Sequence, residues 1–218
     1  MKIRLDAVEE RIQRAVERCG RRRGDITLIA VTKIFPASVV REAYGLGLRA
    51  FGENYVQEFQ GKAPELSDLA EARFHLIGHL QSNKSKVASE LFDVIQTVDT
   101  AKLAQRLDAA GKAMDVFLEV KLSPEDSKSG VLPAELPALI DSVRQCSRLR
   151  LTGLMTMPPW CDDAEPTRPY FRRLCELATE HGLTALSMGM SHDFEVAIEE
   201  GATHIRVGTA LFGRRKKP

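Results

Sequence analysis

The sequence predicts an α/β fold: a single (β/α)8 TIM barrel with an extra N-terminal helix. Three observations predict it. Eight short apolar runs alternate with helical segments along the 218 residues, and such alternation calls for a parallel sheet, because parallel strands need crossover connections. Eight units suit a closed barrel better than an open doubly wound sheet, which needs fewer strands. No GxGxxG follows the first strand, which counts against a dinucleotide-binding sheet. No Pro/Gly/Ser-rich linker divides the chain, so residues 1–218 read as one domain.

In chain order, Leu5, Val8, Ile12, Ala15 and Cys19 recur at helical spacing and Gly20 supplies a stop, giving an amphipathic helix over residues 4–19. ITLIAVTK at 26–33 is a β-branched run and reads as a buried strand with Lys33 at its C-terminal end. Pro36 opens the next helix, and Gly45 and Gly47 close it. Strands follow at 49–52, 73–77, 93–97, 114–120, 150–154, 184–187 and 204–208. Helical segments lie near 54–63, 83–90, 100–110, 133–146, 166–181 and 191–200, with a short turn after the eighth strand. PPWCDDAEPTRP at 158–169 reads as a loop of barrel-connection size.

Composition narrows the function classes. Thirty-one basic residues against thirty acidic ones leave a net charge of +1, which creates no long-range pull toward nucleic acid or anionic lipid. The basic runs Arg21-Arg22-Arg23 and Arg214 to Lys217 flank helix ends or the terminus and read as solvated charge. Cys19, Cys146, Cys161 and Cys175 form no CxxC pair and no Cys/His cluster, which speaks against structural zinc. MKIRLDAVEERI lacks the apolar core of a signal peptide. No stretch approaches the roughly 20 apolar residues of a membrane span. The expected location is a reducing cytoplasm.

Functional groups of such a barrel gather where strand C-termini meet the following loops, and the polar residues concentrate there. Lys33 ends the first strand, Gly52-Glu53-Asn54 follows the second, and Gly78 to Lys84 follows the third. Ser123 with Ser127 to Gly130 follows the fifth, and Met155-Thr156-Met157 follows the sixth. A lysine beside apolar strand residues is costly to bury unless its charge is shifted or paired. Burial lowers its pKa and frees the amine to attack an aldehyde. By position alone, a lysine snorkelling from the barrel mouth is the simpler reading.

The segments LSMGMS at 186–191 and IRVGTALFG at 205–213 supply the second clue. Loops after strands seven and eight form the usual phosphate cradle of this fold. Small residues let backbone N–H groups approach an anion, and hydroxyls add donors. Ser191, Gly208 and Thr209 match that chemistry, while Ser191 could also cap the next helix. His75 and His79 read as satisfied core or loop histidines, the methionines as packing, Trp160 as a surface or lid residue, and Glu53 as a helix cap.

The stretches IAVTK (29–33), FGENYVQE (51–58), HLIGHLQSNKSK (75–86), EDSKSG (125–130), GLMTMPP (153–159) and LSMGMSHDFEVAIEEGATHIRVGTALFG (186–213) together resemble the pyridoxal phosphate homeostasis proteins. The resemblance implies a barrel of the alanine racemase N-terminal type that binds pyridoxal 5′-phosphate (PLP). It implies that Lys33 is the Schiff-base lysine, that Ser191, Gly208 and Thr209 hold the phosphate with Ser187 close by, and that Arg206 faces the pyridine nitrogen. Asn54 and Met155 fall in pocket-lining motifs. Many relatives have a second lysine shortly after the first, whereas this chain has Ile34-Phe35-Pro36.

The same barrel serves amino-acid racemases. Racemisation needs a base on each cofactor face, and alanine racemases draw the second, a tyrosine, from a C-terminal β-domain. The chain ends five residues after Gly213, so that domain is expected to be absent. An always-charged arginine at the pyridine nitrogen also weakens the ring as an electron sink. The expectation is therefore a non-catalytic, monomeric carrier that stores, buffers or delivers PLP, with PLP-dependent apoenzymes as recipients. A PLP-dependent racemase is the alternative.

Overall fold

The computed structural model describes residues 1–125 and 129–213. Eight parallel strands close into a barrel in sequence order, with β1 (Thr27–Val31) hydrogen-bonded to both β2 (Ala50–Glu53) and β8 (His204–Val207). Between them stand β3 (Arg73–Leu76), β4 (Val94–Val98), β5 (Met114–Glu119), β6 (Leu149–Met155) and β7 (Ala185–Met190). The helices outside are α2 (Ala37–Gly45), α3 (Val56–Lys62), α4 (Ser85–Leu91), α5 (Ala101–Ala109), α6 (Leu136–Arg144), α7 (Arg168–Glu180) and α8 (Phe194–Glu199). The extra helix α1 (Lys2–Arg18) precedes the barrel, and a single helical turn, α9 (Thr209–Phe212), follows β8.

Local chemistry explains the bounds. The helix predicted over 133–146 starts only at Leu136, because Pro137 is tolerated in a first turn and nowhere deeper. The helix predicted over 191–200 starts at Phe194, since Asp193 occupies the cap and its Oδ1 accepts the Met190 N–H at 2.6 Å. Ser191 is therefore not the cap of α8. The loop calls at Ser127 and Lys128 and the basic run Arg214 to Lys217 lie outside the described residues.

Strand periodicity sorts side chains into two layers. Ile95, Val116, Leu118, Leu154, Leu186, Ile205 and Val207 join the large apolar core shared with the helices. Their neighbours in sequence turn inward. There Val94, Phe117 and Met155 make a small separate apolar cluster, while His75, Gln96, Ser187 and Arg206 are buried polar groups. A barrel core so polar needs internal hydrogen bonds, because each unpaired buried group costs about 1–3 kcal/mol.

Helix α1 buries Leu5, Val8, Ile12, Ala15 and Val16 and packs on α8 and α9. Arg11 fixes the contact: its Nε and Nη2 grip Glu195 at 3.0 and 2.6 Å, Nη2 also reaches the Ser191 carbonyl at 3.3 Å, and its guanidinium lies over the Phe194 ring. The extra helix thus braces the loop after β7. Among the described residues, no helix is long and apolar enough to cross a membrane.

Candidate functional site

A cavity of about 510 Å³ opens at the C-terminal ends of the strands, within the roughly 300–1,000 Å³ of small-molecule sites. Its wall draws Lys33 from the turn after β1, Asn54 from the loop after β2, Met157 from the loop after β6, Ser191 and His192 from the loop after β7, and Gly208 and Thr209 from the end of β8. This is the face on which (β/α)8 barrels carry their functional groups.

Two loops converge at one corner. The backbone N–H groups of Gly208 and Ala210 both donate to Ser191 Oγ, at 3.1 and 3.3 Å. Donors that converge on one oxygen suit an anionic oxygen equally well. The end of β7 just before Ser191 depends on Gly189, which has φ +89°, and a Cβ there would stand 2.6 Å from Ala197 Cβ.

Arg206 closes the inner end of the cavity from β8. Its Nη1 donates to Ser187 Oγ at 2.7 Å and its Nη2 to the Thr156 carbonyl at 2.9 Å. Ser187 Oγ donates in turn to Gln96 Oε1 at 2.6 Å. That fixes the Gln96 amide so that its Nε2 donates to His75 Nδ1 at 3.0 Å. The chain of donors runs one way, from the guanidinium to a neutral imidazole. Burial lowers the Arg206 pKa to about 10, still well above neutrality. Burial, and next the nearby His204, lower that of His75 to about 3.

On the Asn54 side, Gly78 carries the close approach: a Cβ there would meet the Asn54 carbonyl oxygen at 2.3 Å. Asn54 lines the cavity, and its Oδ1 is buried with no hydrogen-bond partner among the described residues. At the mouth Trp160 packs on the His192 ring, centroids 3.9 Å apart, although two-thirds of the indole is exposed. The position accords with a surface residue at the cavity mouth.

The structure thus gathers Lys33, Asn54, Ser191, Arg206, Gly208 and Thr209 on one cavity wall. It corrects three other readings. Met155 does not line the cavity: it points inward from β6 and is fully buried against Val94 and Phe117. Met157, two residues on and beyond the strand, takes the wall position instead. Ser187 is also fully buried, behind Arg206, and bonds the guanidinium. Glu53 is no helix cap: it is fully buried, accepts from Thr32 Oγ1 and Lys62 Nζ at 2.8 Å each, and burial raises its pKa. His75 is a satisfied core histidine as read. Gln96 carried no sequence signal, because its partners lie in distant segments; Lys62 stands four residues after Glu58, a helical ion-pair spacing, but its contacts to Thr32 and Phe35 come from a distant segment.

Fold and cavity together define a ligand-binding (β/α)8 barrel of the alanine racemase N-terminal type, and residues 3–216 match the family described as "Alanine racemase, N-terminal domain". The pyridoxal phosphate homeostasis protein of Aquifex aeolicus is 44% identical, covering 98% of this chain and 97% of that one. The protein of the same name from Pseudomonas aeruginosa is 47% identical over 95% and 93%. Among solved structures, PipY of Synechococcus elongatus with PLP bound has a TM-score of 0.81 at 42% identity, covering 93% of this chain and 100% of that one. The chain belongs to the family of pyridoxal phosphate homeostasis proteins.

Proposed function

We propose that this chain, as one binding domain, holds PLP in the cavity at the barrel mouth and serves the homeostasis of that cofactor inside the cell. The observation that carries the reading is the shared wall: a lysine, and two backbone N–H groups converging on a serine hydroxyl, line the same cavity. The names of the relatives and PLP in the Synechococcus protein support the choice of ligand. The residues present fit it. Ser191, Gly208 and Thr209 would hold the phosphate, with the Ser191 hydroxyl turning to donate alongside the amides. Arg206 would meet the ring nitrogen, braced by Ser187 from behind, and the unpartnered Asn54 Oδ1 would accept from a ring substituent.

When bound, the cofactor supplies an aldehyde that forms a reversible Schiff base with a primary amine, and Lys33 is the amine on the wall. Val31, Ile77 and Met157 line the same wall and give it its apolar part. Arg206 stays cationic and donates, which discourages protonation of the ring nitrogen and restrains carbanion chemistry. Tyr55, next to Asn54, is more than half exposed and lies off the cavity wall. That placement favours holding the cofactor over racemising an amino acid. Delivery to PLP-dependent apoenzymes from a cytoplasmic monomer completes the reading.

Loading purified protein with PLP, reducing with borohydride and mapping peptides tests it. The label should sit on Lys33, and Lys33→Ala should abolish the visible absorbance of the loaded protein. A wild type that stays colourless in excess PLP overturns the reading. Rapid exchange of an amino-acid α-proton by the loaded protein would restore the racemase alternative.

A further inference from the structure

The lysine on the cavity wall sits in an unusual turn. Phe35 N donates to Thr32 O at 3.1 Å, which makes Thr32-Lys33-Ile34-Phe35 a hydrogen-bonded β-turn. Ile34, its third residue, has φ +65°, and it is the one non-glycine residue with positive φ among those described. A positive φ at that position marks a type II turn, which normally places glycine or asparagine there. For a β-branched residue the conformation is costly, so surrounding structure must impose it.

The surrounding structure is a cluster on β2 and α3. Glu58 Oε1 accepts the Ile34 N–H at 2.5 Å. Lys62 Nζ donates to the carbonyls at the two ends of the turn, Thr32 O at 3.2 Å and Phe35 O at 3.1 Å. The same ammonium meets Glu53 Oε1 and Glu58 Oε1 at 2.8 Å each. Thr32 Oγ1 also donates to Glu53. Lys62 and Glu53 are both buried, and one buried lysine thereby holds both turn carbonyls and both carboxylates. None of Glu53, Glu58 and Lys62 lines the cavity. Their contacts converge on the backbone that carries Lys33.

We propose that Lys62, with Glu58 and Glu53, is a positioning clamp that locks this strained turn and so aims the Lys33 amine into the cavity. The inference rests on the reading of Lys33 as the cofactor's anchor. In the step it assists, the Lys33 nitrogen lone pair forms a C–N bond to the aldehyde carbon. The carbonyl oxygen then departs with the two amine protons as water, with no change of oxidation state. The clamp touches none of these atoms; it fixes the Cα from which the amine reaches them.

The test separates aiming from general damage. Rates of Schiff-base formation with PLP are read by absorbance, and affinity for pyridoxamine 5′-phosphate, which has the phosphate and ring but no aldehyde, is measured beside them. Lys62→Met should slow Schiff-base formation roughly tenfold to a hundredfold, the scale of a misplacement near 1 Å. Its affinity for pyridoxamine 5′-phosphate should match the wild type. Adding Ile34→Gly to Lys62→Met should recover part of the rate, because glycine adopts the turn without being held there. Glu58→Ala, which leaves the Lys62–Glu53 pair intact, should slow the same step and decides the matter if Lys62→Met does not fold. Unchanged rates in the folded variants overturn the clamp, as does a parallel loss of affinity for pyridoxamine 5′-phosphate. A wild type with no borohydride-reducible bond at Lys33 overturns the functional reading first, and the clamp with it.

Discussion

Arg206 Nη1 lies 2.7 Å from Ser187 Oγ, and that hydroxyl donates its own hydrogen bond to Gln96 Oε1. The hydrogen bonds that orient this cation go to a hydroxyl and a carbonyl, while the nearby Asp193 and Glu119 favour its charge. Removing the middle of the chain should show what this orientation is worth. Gln96→Leu leaves Ser187 Oγ–H and His75 Nδ1 unpaired in the core and should cost about 2–4 kcal/mol in urea unfolding. It should also shift the absorbance maximum of the PLP-loaded protein, because Arg206 loses its fixed direction. A shift without destabilisation, or destabilisation without a shift, would separate the two roles.

The buried histidines make stability depend on pH. Burial, with nearby positive charge, holds His75 near 3 and His204 near 4, both below the ordinary 6.5. Above pH 6.5 each is neutral folded and unfolded. As the pH falls below that value the unfolded chain takes up protons that the folded chain refuses, so stability drops. Each histidine contributes at most about 1.4 kcal/mol per pH unit until its folded pKa is reached. Urea midpoints measured from pH 7 to pH 4 should fall, and His75→Gln, which keeps an acceptor for Gln96, should make the decline shallower by about one proton.

Met155 and Met157 should part company on mutation. Met155→Ala empties part of a closed apolar cluster and should destabilise by roughly 2–5 kcal/mol. Its effect on ligand affinity should be small. Met157→Ala should cost clearly less stability and change PLP affinity instead, because this side chain faces the cavity. Parallel thermal melts and ligand titrations on the two variants check the contrast.

Gly189 should tolerate nothing larger. Alanine there would adopt φ +89° and press its Cβ to 2.6 Å from Ala197, at a cost of about 2–4 kcal/mol if the loop holds its shape. If the loop yields instead, Ser191 moves off the Gly208 and Ala210 amides and phosphate affinity falls. Inorganic phosphate titration beside a melting curve shows which occurs.

What the sequence by itself determined is the architecture and the identity of six of the wall residues. Period-two and period-3.6 apolar patterns depend on neighbours a few residues apart, so eight strands and their helices were legible to within about three residues at each end. Lys33, Asn54, Ser191, Gly208 and Thr209 stand where strand C-termini meet their loops, which share one mouth in this fold, whereas Arg206, inside β8, was legible only through the family resemblance. The tertiary structure decided the rest. Whether Met155 or Met157 reaches the wall depends on where β6 ends, and whether Glu53 caps a helix or is buried depends on Thr32 and Lys62. Gln96 meets Ser187 across 91 residues of chain. Such pairings have no local pattern to betray them. They follow from barrel closure, which turns alternate side chains of every strand inward and makes neighbours of residues the sequence keeps far apart.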